Sequence, residues 1–274
     1  MVKRLIKAVV ERIPVLARFY RNSRDFLDQR HPPRDTPWGF TFAGHDGMAE
    51  GIFEPEETKL MRRLVADVDV LVNIGANVGY YCCHALSMGR SVIAVEPNAR
   101  NLHYLLKNIQ NNNWADQAEI FPIALGSGTN ILNMWGGGTG ASLVKGWANI
   151  PESYVTQVPV LSLDRVLGDA VAGKKALILV DIEGAEYLML QGAKNILKNG
   201  ANTIWIMEIS AAEHQPRGQT INPYFGETFE IFFSQGYRAF TANEDSIEIT
   251  PEIVKRVVSG GQVLNCHNFL FRID

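Results

Sequence analysis

Short, almost wholly apolar segments that alternate with helical patterns constrain the fold of this chain more than any other feature. Val70–Ile74 and Ser91–Val95 are such segments, and amphipathic stretches at 80–88 and 98–111 follow them. Strands that are apolar on both faces must be buried on both faces, as in parallel sheets covered by helices. On the same grounds we predict five further strands, the last two as a closing pair: Ala118–Phe121, 177–181, Thr203–Glu208, 236–240 and 268–271. The chain is therefore predicted to be an α/β protein with a mostly parallel, seven-stranded sheet and helices on both faces, preceded by a helix over 54–66.

The composition is that of a folded domain rather than a disordered or nucleic-acid-binding chain. Of its 274 residues, 46% are hydrophobic and 20% are charged, and the net charge of −3 gives no electrostatic preference for nucleic acid. The three cysteines, Cys82, Cys83 and Cys266, form neither a disulfide framework nor a zinc-binding pair. No apolar run reaches the ~18 residues that span a bilayer. We therefore predict a cytoplasmic protein.

The first 30 residues differ in charge from the rest of the chain. They carry eight Lys or Arg and three Asp or Glu, whereas the whole chain is at −3. Apolar residues between Val2 and Ile13 recur at helical spacing, so a basic amphipathic helix is predicted. It either packs on the main domain or in a homodimer, or binds an acidic membrane surface through residues 1–30, and these alternatives stay open. Turn residues at 31–47 predict a linker, so we divide the chain into 1–45, a helical extension and linker, and 46–274, the main domain.

The turn after the first strand is predicted to bind a nucleotide-like ligand. It contains Gly75, whose missing Cβ lets a ligand approach the backbone, and the helix that follows offers free N–H groups. Glu96 ends the next strand 21 residues later, where an acidic side chain accepts hydrogen bonds from ribose hydroxyls, and Pro97 ends that strand. The dinucleotide fingerprint has a middle glycine where this chain has Asn77. This difference favours an adenosine cofactor without phosphates, with a nicotinamide-dependent oxidoreductase as the alternative.

Acidic side chains at the ends of two later strands are candidates for catalysis. Asp181 and Glu183 are two residues apart, so both side chains can point to the ligand edge of the sheet. The alternative is structural, with Asp181 capping the next helix and Glu183 ordering the loop. Glu208 ends the following strand, and His214 comes soon after it in a loop. A histidine pKa of ~6.5 suits a general base.

Several motifs, in this order, carry a resemblance to a known family: 73–80, 95–98, 105–109, 122–126, 162–164, 180–186 and 207–209. Together they resemble the FkbM family of S-adenosylmethionine-dependent methyltransferases over about residues 50–272. The resemblance implies a class I methyltransferase, Rossmann-like fold. It also implies methyl transfer, commonly to a hydroxyl oxygen, on a small-molecule or glycan acceptor.

The resemblance also implies roles for individual residues. Gly75, Ala76, Asn77 and Gly79 would line the methionine part of the cofactor, Glu96 would hold the ribose, and Ile123 with Ala124 would flank the adenine. Ser142 closes a glycine-rich loop that begins at Gly136, and it would face the acceptor.

Two departures from the family pattern bear on function. Asn73 stands where the family usually has Asp, which removes a charge opposite the cofactor's ammonium group, and Leu179 stands where it usually has Lys. These departures keep a catalytically inactive cofactor-binding protein as a further alternative. We predict no dedicated metal site, although Asp181 with Glu208 raises the hypothesis of a bound Mg²⁺.

Overall fold

A computed structural model of the chain describes residues 32–273, so the predicted N-terminal helix and its membrane or subunit contacts lie outside the described residues. The strands within that range are β1 (Arg34–Asp35), β2 (Thr41–Phe42), β3 (Val70–Ile74), β4 (Ser91–Val95), β5 (Ala118–Phe121), β6 (Ala124–Leu125), β7 (Asn130–Trp135), β8 (Val155–Leu161), β9 (Ala176–Val180), β10 (Thr203–Glu208), β11 (Arg238–Thr241), β12 (Glu248–Ile249) and β13 (Asn268–Arg272). The α-helices are α1 (Asp46–Glu50), α2 (Pro55–Val65), α3 (Tyr80–Ser87), α4 (Ala99–Asn111), α5 (Leu163–Leu167), α6 (Glu186–Leu190), α7 (Lys194–Leu197), α8 (Phe225–Phe233) and α9 (Pro251–Val258).

The central sheet has the strand order β12-β11-β13-β10-β9-β3-β4-β5. β5, β4, β3, β9 and β10 are parallel to one another, and β13 is antiparallel to both of its neighbours. All seven predicted strands are present, and β11 with β13 forms the predicted closing pair. The α/β class is confirmed. The sheet has eight strands rather than the predicted seven, because β12 adds a two-residue antiparallel strand at the edge.

Helices cover both faces of this sheet because its central strands are apolar on both sides. Every residue of β3 and of β9 is buried. Side chains of α2, α3 and α4 pack on one face, and those of α5 to α9 pack on the other. Burying one Val, Leu or Ile side chain stabilises a fold by about 1.5–3 kcal/mol. The two apolar layers therefore fix the carboxyl ends of the parallel strands along one edge of the sheet.

A second, smaller sheet lies in the crossover from β5 to β9. Its order is β6-β8-β7, with β7 and β8 antiparallel from Asn130 opposite Val160 to Trp135 opposite Val155. Met134, Val158 and Val160 form a small separate core on its inner face. We did not predict this sheet, because its strands are mostly exposed and carry no continuous apolar run. It matters for function because it stands beside the cleft described below.

Part of the segment that we interpret as linker is packed on the main domain. Phe40 and Phe42 are buried, and Phe42 meets the ring of Tyr80 edge to face. The side chain of Asn108 on α4 accepts the N–H of Ala43 at 2.7 Å and donates to its carbonyl at 2.9 Å. The segment just before residue 46 therefore contributes to the core, while the division at 46 itself stays a prediction. None of the helices within residues 32–273 has the length and apolarity that crossing a membrane requires.

Candidate active site

The turn after β3 is shaped by a glycine that no other residue can replace without a clash. Gly75 has φ +83°, and the N–H groups of Gly75 and Ala76 both donate to the carbonyl of Val95. A Cβ at this position would fall on the carbonyl oxygen of Asp181, far inside van der Waals contact. The turn therefore lies directly against the end of β9, and it joins two of the segments that the sequence predicts to be functional.

Glu96 holds this turn from the end of β4. Its Oε2 accepts the N–H of Asn77 and its Oε1 accepts the N–H of Asn98, each at 2.7 Å. The side chain is only 4% exposed, and burial raises its pKa to about 7, although the two backbone hydrogen bonds act in the opposite direction. The side chain of Asn101 is a further hydrogen-bond partner of Glu96. A carboxylate has about four acceptor positions, so these three donors leave room for a hydroxyl group of a ligand.

Glu96 faces a first cavity on the carboxyl side of the sheet, with about 590 Å³ of empty space that includes its opening to solvent. One wall is apolar and consists of Ile123, Ala124, Leu125, Met134 and Leu143. The polar lining of the cavity includes Glu96 and the turn at Gly75. A concave, mostly apolar pocket with a few convergent polar groups is the usual form of a small-molecule site. The first cavity thus suits a heterocyclic ring joined to a hydroxylated group.

A second cavity shares Gly75, Asn77 and Asp181 with the first, and has about 740 Å³ of empty space that includes its opening to solvent. It extends toward α2 and α3, over the ends of β9 and β10. Its other lining side chains include Asn73, Leu179, Ile206, Glu208, Phe53, Glu54, Glu57, Tyr80 and Tyr81. The two cavities together form one cleft that crosses the sheet edge at Asp181.

The charged side chains of the cleft are all acidic. Its ionisable carboxyl groups are Glu54, Glu57, Glu96, Asp181, Glu183 and Glu208, and among residues 32–273 no Lys, Arg or His lines either cavity. Asp181 is exposed to the cleft, yet desolvation by the surrounding protein, with the charges of Glu208 and Glu183, raises its pKa. Desolvation, with the charge of Glu183 next in importance, raises the pKa of Glu208 to about 7. These groups favour a positively charged ligand.

Glu183 is held in an unusual conformation by the loop after β7. Its φ is +55°, in the left-handed region that residues other than glycine rarely adopt. Its carbonyl accepts the hydroxyl of Ser142 at 2.5 Å, and its Oε2 accepts the indole N–H of Trp147 at 2.7 Å. The Trp147 ring lies so close to Gly184 that a Cβ there would collide with it. We call these contacts of Ser142 and Trp147 with the Glu183 turn the Trp147 clamp.

With this geometry described, similarity to known proteins decides the family. Residues 73–239 match the model of the methyltransferase FkbM domain, and this segment is more than half of the chain. The chain belongs to the FkbM methyltransferase family. The predicted resemblance is thereby confirmed, and the family is one of methyltransferases rather than of nicotinamide-dependent oxidoreductases. No curated protein gives a match.

Several solved methyltransferase structures are distantly similar to this FkbM protein. The precorrin-6y C5,15-methyltransferase of Geobacter metallireducens is 11% identical, with a TM-score of 0.45 over 87% of this chain and 98% of that chain. The O-methyltransferase of Bacillus cereus, solved in complex with SAH, is 12% identical, with a TM-score of 0.43 over 83% and 85%. Aeropyrum pernix fibrillarin, solved with natively bound S-adenosyl-L-methionine, is 14% identical, with a TM-score of 0.41 over 80% and 76%. At these scores the likeness assigns no role to any residue.

Most of the predicted site residues of this FkbM protein lie in the cleft. The first cavity is lined by Gly75, Asn77, Glu96, Pro97, Ile123, Ala124, Asp181 and Glu183, and the second by Asn73, Gly75, Ala76, Asn77, Asp181 and Glu208. Asp181 does not cap the following helix, because α6 has no side-chain cap. Of the two interpretations of Asp181, the geometry therefore favours a carboxylate that serves the cleft.

Three predicted residues lie outside the lining of both cavities. Gly79 is the residue before α3, with φ +87°, and packs on Leu105, so it shapes the turn rather than the cavity wall. Ser142 is 1% exposed, and its hydroxyl bonds to the Glu183 carbonyl and the Val144 N–H. We expected Ser142 to face the acceptor; it is a buried part of the Trp147 clamp instead.

His214 also lies away from the cavities, on an exposed loop. Its ring is 5.9 Å from that of Trp147, and its carbonyl accepts the N–H of Ala148 at 2.7 Å. The expectation that this side chain is a general base receives no support from its position. Its backbone instead ties its loop to the Trp147 clamp.

The Mg²⁺ hypothesis also lacks support. Within the described part of the chain, no group of three or more His, Cys, Asp or Glu side chains is placed to hold a metal ion. Asp181 and Glu208 both line the second cavity, but no third described side chain of these types joins them in such a group.

Two groups of cleft residues were missed by sequence reasoning. Glu54 and Glu57 stand at the start of α2, and Tyr80 and Tyr81 follow the turn at the start of α3. The acidic run before the predicted helix at 54–66 and the adjacent tyrosines were visible signals. Nothing in the sequence said that these segments meet, because their contact depends on how α2 packs on α3.

The two departures from the family pattern both lie in the second cavity. Asn73 is 3% exposed, and its amide nitrogen donates to the Cys82 sulfur at 3.3 Å. No described residue donates a hydrogen bond to its amide oxygen. Leu179 contributes an apolar surface to the same cavity. Both departures therefore change the polarity of the second cavity and leave the first unaltered.

Proposed function

We propose that this protein transfers a methyl group from S-adenosylmethionine to a hydroxyl oxygen of a small molecule or glycan. The observation that carries the proposal is the position of Glu96, which braces the Gly75 turn and faces a cavity continuous with the carboxylates at the ends of β9 and β10. Membership of the FkbM family supports the methyltransferase class. The oxygen specificity and the class of acceptor are our own inference.

The first cavity fits the cofactor that the family implies. Glu96 has room left to accept a ribose hydroxyl, and Ile123 with Ala124 offers an apolar wall for the adenine ring. The close approach of the backbone at Gly75 leaves room for the cofactor's amino-acid end, with Asn77 and Asp181 beside it. When bound, S-adenosylmethionine supplies a methyl group on a positively charged sulfur, a charge that suits the acidic cleft.

The protein's own contribution is to orient the acceptor and to take its proton. Orientation alone can lower a barrier by ~7–11 kcal/mol. Asp181 is our candidate for the proton acceptor, because its carboxylate opens to both cavities. Desolvation raises its pKa, which makes it a stronger base than an ordinary aspartate. Glu208, at the end of the neighbouring strand β10, lines the second cavity with Asp181 and is our candidate to take the proton onward.

Isothermal titration with S-adenosylmethionine, S-adenosylhomocysteine and NAD tests the cofactor assignment. We expect the first two to bind and NAD not to bind. Glu96→Gln should weaken binding of S-adenosylhomocysteine roughly ten- to a hundredfold, because hydrogen bonds to a charged group contribute ~1.5–3 kcal/mol. Glu119→Gln, the same change at an exposed position of β5, is the matched control and should leave binding unchanged.

Tight NAD binding without a response to the other two ligands would overturn the proposal. If S-adenosylhomocysteine binds, a labelled-methyl screen against hydroxylated acceptors separates an enzyme from an inactive binding protein. Asp181→Asn should then abolish transfer while retaining cofactor binding. An Asp181→Asn variant with unchanged turnover would show that another group takes the proton.

A further inference from the structure

The second cavity has an outer wall beyond the part that it shares with the first. Glu54, Glu57 and Glu208 contribute carboxylates to this wall, and Phe53, Tyr80 and Tyr81 contribute aromatic rings. The rings contact one another edge to face, with centroids 5.5 Å apart for Phe53 and Tyr80 and 5.2 Å for Tyr80 and Tyr81. The hydroxyl of Tyr81 donates to Glu54 at 2.8 Å. We call this surface the aromatic–acidic wall.

Basic side chains on the helix that carries part of the aromatic–acidic wall contact other residues. Lys59 pairs with Glu56 and Glu244 on the outside of α2, and the guanidinium of Arg62 lies 2.8 Å from the ring of His84. Among residues 32–273, no basic side chain lines the second cavity. The carboxylates of the wall therefore have no cation of the protein to balance them.

An unpartnered buried acceptor lies in the same cavity. The amide oxygen of Asn77, which lines the second cavity, is buried and has no hydrogen-bond partner among the described residues. A buried carbonyl without a donor costs about 1–3 kcal/mol. A ligand with N–H groups would satisfy it, and an ammonium group carries three such donors and no acceptor.

Aromatic faces, carboxylates and an unpartnered amide oxygen together select one ligand chemistry. Positively charged nitrogen is attracted to aromatic rings and to carboxylates alike, whereas phosphate or carboxylate groups are repelled by the carboxylates. Under the proposed function, the cofactor's positive charge would lie beside Gly75 and Asp181, which line both cavities. Glu54 and Glu57 line the second cavity alone, so they would be left for another cation.

We infer that the aromatic–acidic wall binds the methyl acceptor through a positively charged nitrogen, and that the acceptor is an amino sugar or a similar amino alcohol. This inference rests on the proposed methyltransferase function. It commits to a cationic acceptor, so neutral sugars, sugar phosphates and sugar acids should be discriminated against.

Three sugars that share the same six-membered ring test the inference without a turnover assay. Glucosamine carries an ammonium group, glucose is neutral and glucuronate is an anion. Binding of each is measured by titration calorimetry, with S-adenosylhomocysteine at saturation. We expect glucosamine to bind at least roughly tenfold more tightly than glucose, a difference of about 1.4 kcal/mol, and glucuronate to bind least. Binding of glucosamine no tighter than that of glucose, including no binding of either, overturns the inference.

A pair of neighbouring variants locates the site. Glu57→Gln removes a carboxylate from the wall, whereas Glu56→Gln removes one from the outside of the same helix turn. We expect Glu57→Gln to lower the affinity for glucosamine roughly three- to tenfold, with glucose unaffected and Glu56→Gln without effect. Equal effects of the two variants would place the cation elsewhere. Binding of S-adenosylhomocysteine is measured first, so that its absence marks failure of the proposed function and its presence without a charge preference marks failure of this inference alone.

Discussion

At the scale of single residues, the position of Gly75 requires glycine for two separate reasons. Its φ of +83° favours glycine, and the carbonyl of Asp181 occupies the place of any Cβ. At Gly89 only the first reason applies. Its φ of +74° favours glycine, but nothing lies within 4 Å of the position that a Cβ would take. Comparing the two positions therefore separates the cost of the backbone conformation from the cost of the clash.

We expect Gly75→Ala to abolish binding of S-adenosylhomocysteine and to lower the Tm by more than Gly89→Ala does. Gly89→Ala should cost about 1–2 kcal/mol, the usual cost of a left-handed conformation for a residue with a Cβ, and should leave binding intact. Thermal unfolding and titration calorimetry on both variants measure the two effects. Retained binding in Gly75→Ala would mean that the turn can move away from β9.

Some site residues could be predicted from the sequence, and others could not. Glu96 could be predicted because spacing along the chain places it at a strand end beside the glycine turn. The burial of Ser142 could not, because it depends on contacts with Glu183, which lies 41 residues away. Glu54 and Glu57 were missed for the same reason, since only the packing of α2 brings them over the cleft.

At the scale of elements, the central strands β3, β4 and β9 were predictable because burial on both faces leaves an apolar run in the sequence. The small sheet of β6, β7 and β8 leaves no such run, since one of its faces is exposed. Its connecting loop carries Ser142 and Trp147, so the element hardest to predict also supports the Glu183 turn. The Trp147 clamp joins this loop to the end of β9, and a single substitution can measure how much that support matters.

We expect Trp147→Phe to destabilise the protein by about 1–3 kcal/mol, because it leaves the Glu183 oxygen without its indole donor. The phenyl ring should still cover Gly184, so the loss of stability should come from the hydrogen bond more than from the packing. Hydrogen exchange at residues 183–185 should accelerate, since the strained conformation of Glu183 loses one of its two restraints. Trp114→Phe, outside the cleft, should leave exchange in this turn unchanged, and a uniform effect of both variants would argue against the clamp.

At the scale of the whole molecule, buried carboxyl groups make stability depend on pH. Burial, as the largest cause, raises the pKa of Glu96 to about 7, of Glu186 to about 8 and of Glu208 to about 7, from 4.5. The folded protein therefore keeps protons that the unfolded chain has released between about pH 4.5 and pH 8. By linkage, these groups stabilise the fold below pH 4.5, and this stabilisation is lost as the pH rises across that window.

Glu186→Gln tests this linkage at the most buried of the three groups. Its Oε1 accepts the N–H of Gly184 at 3.0 Å, and a glutamine oxygen can accept the same bond. We expect the fall in Tm between pH 6 and pH 8.5 to be smaller by a few degrees in the variant than in the wild type. Glu230→Gln on α8, where the side chain is exposed, is the control. An identical pH profile in wild type and Glu186→Gln would show that Glu186 is ionised throughout this range.

Asp181 lines both cavities, so under the proposed assignment the two ligands share one proton equilibrium. A cation in either cavity favours the ionised carboxylate, and the second cation then meets a group that has already lost its proton. Thermodynamic reciprocity requires each ligand to strengthen the other by the same factor. Cofactor and acceptor would therefore bind cooperatively, with the release of a single proton as the common signal, and the cleft would fill as a unit.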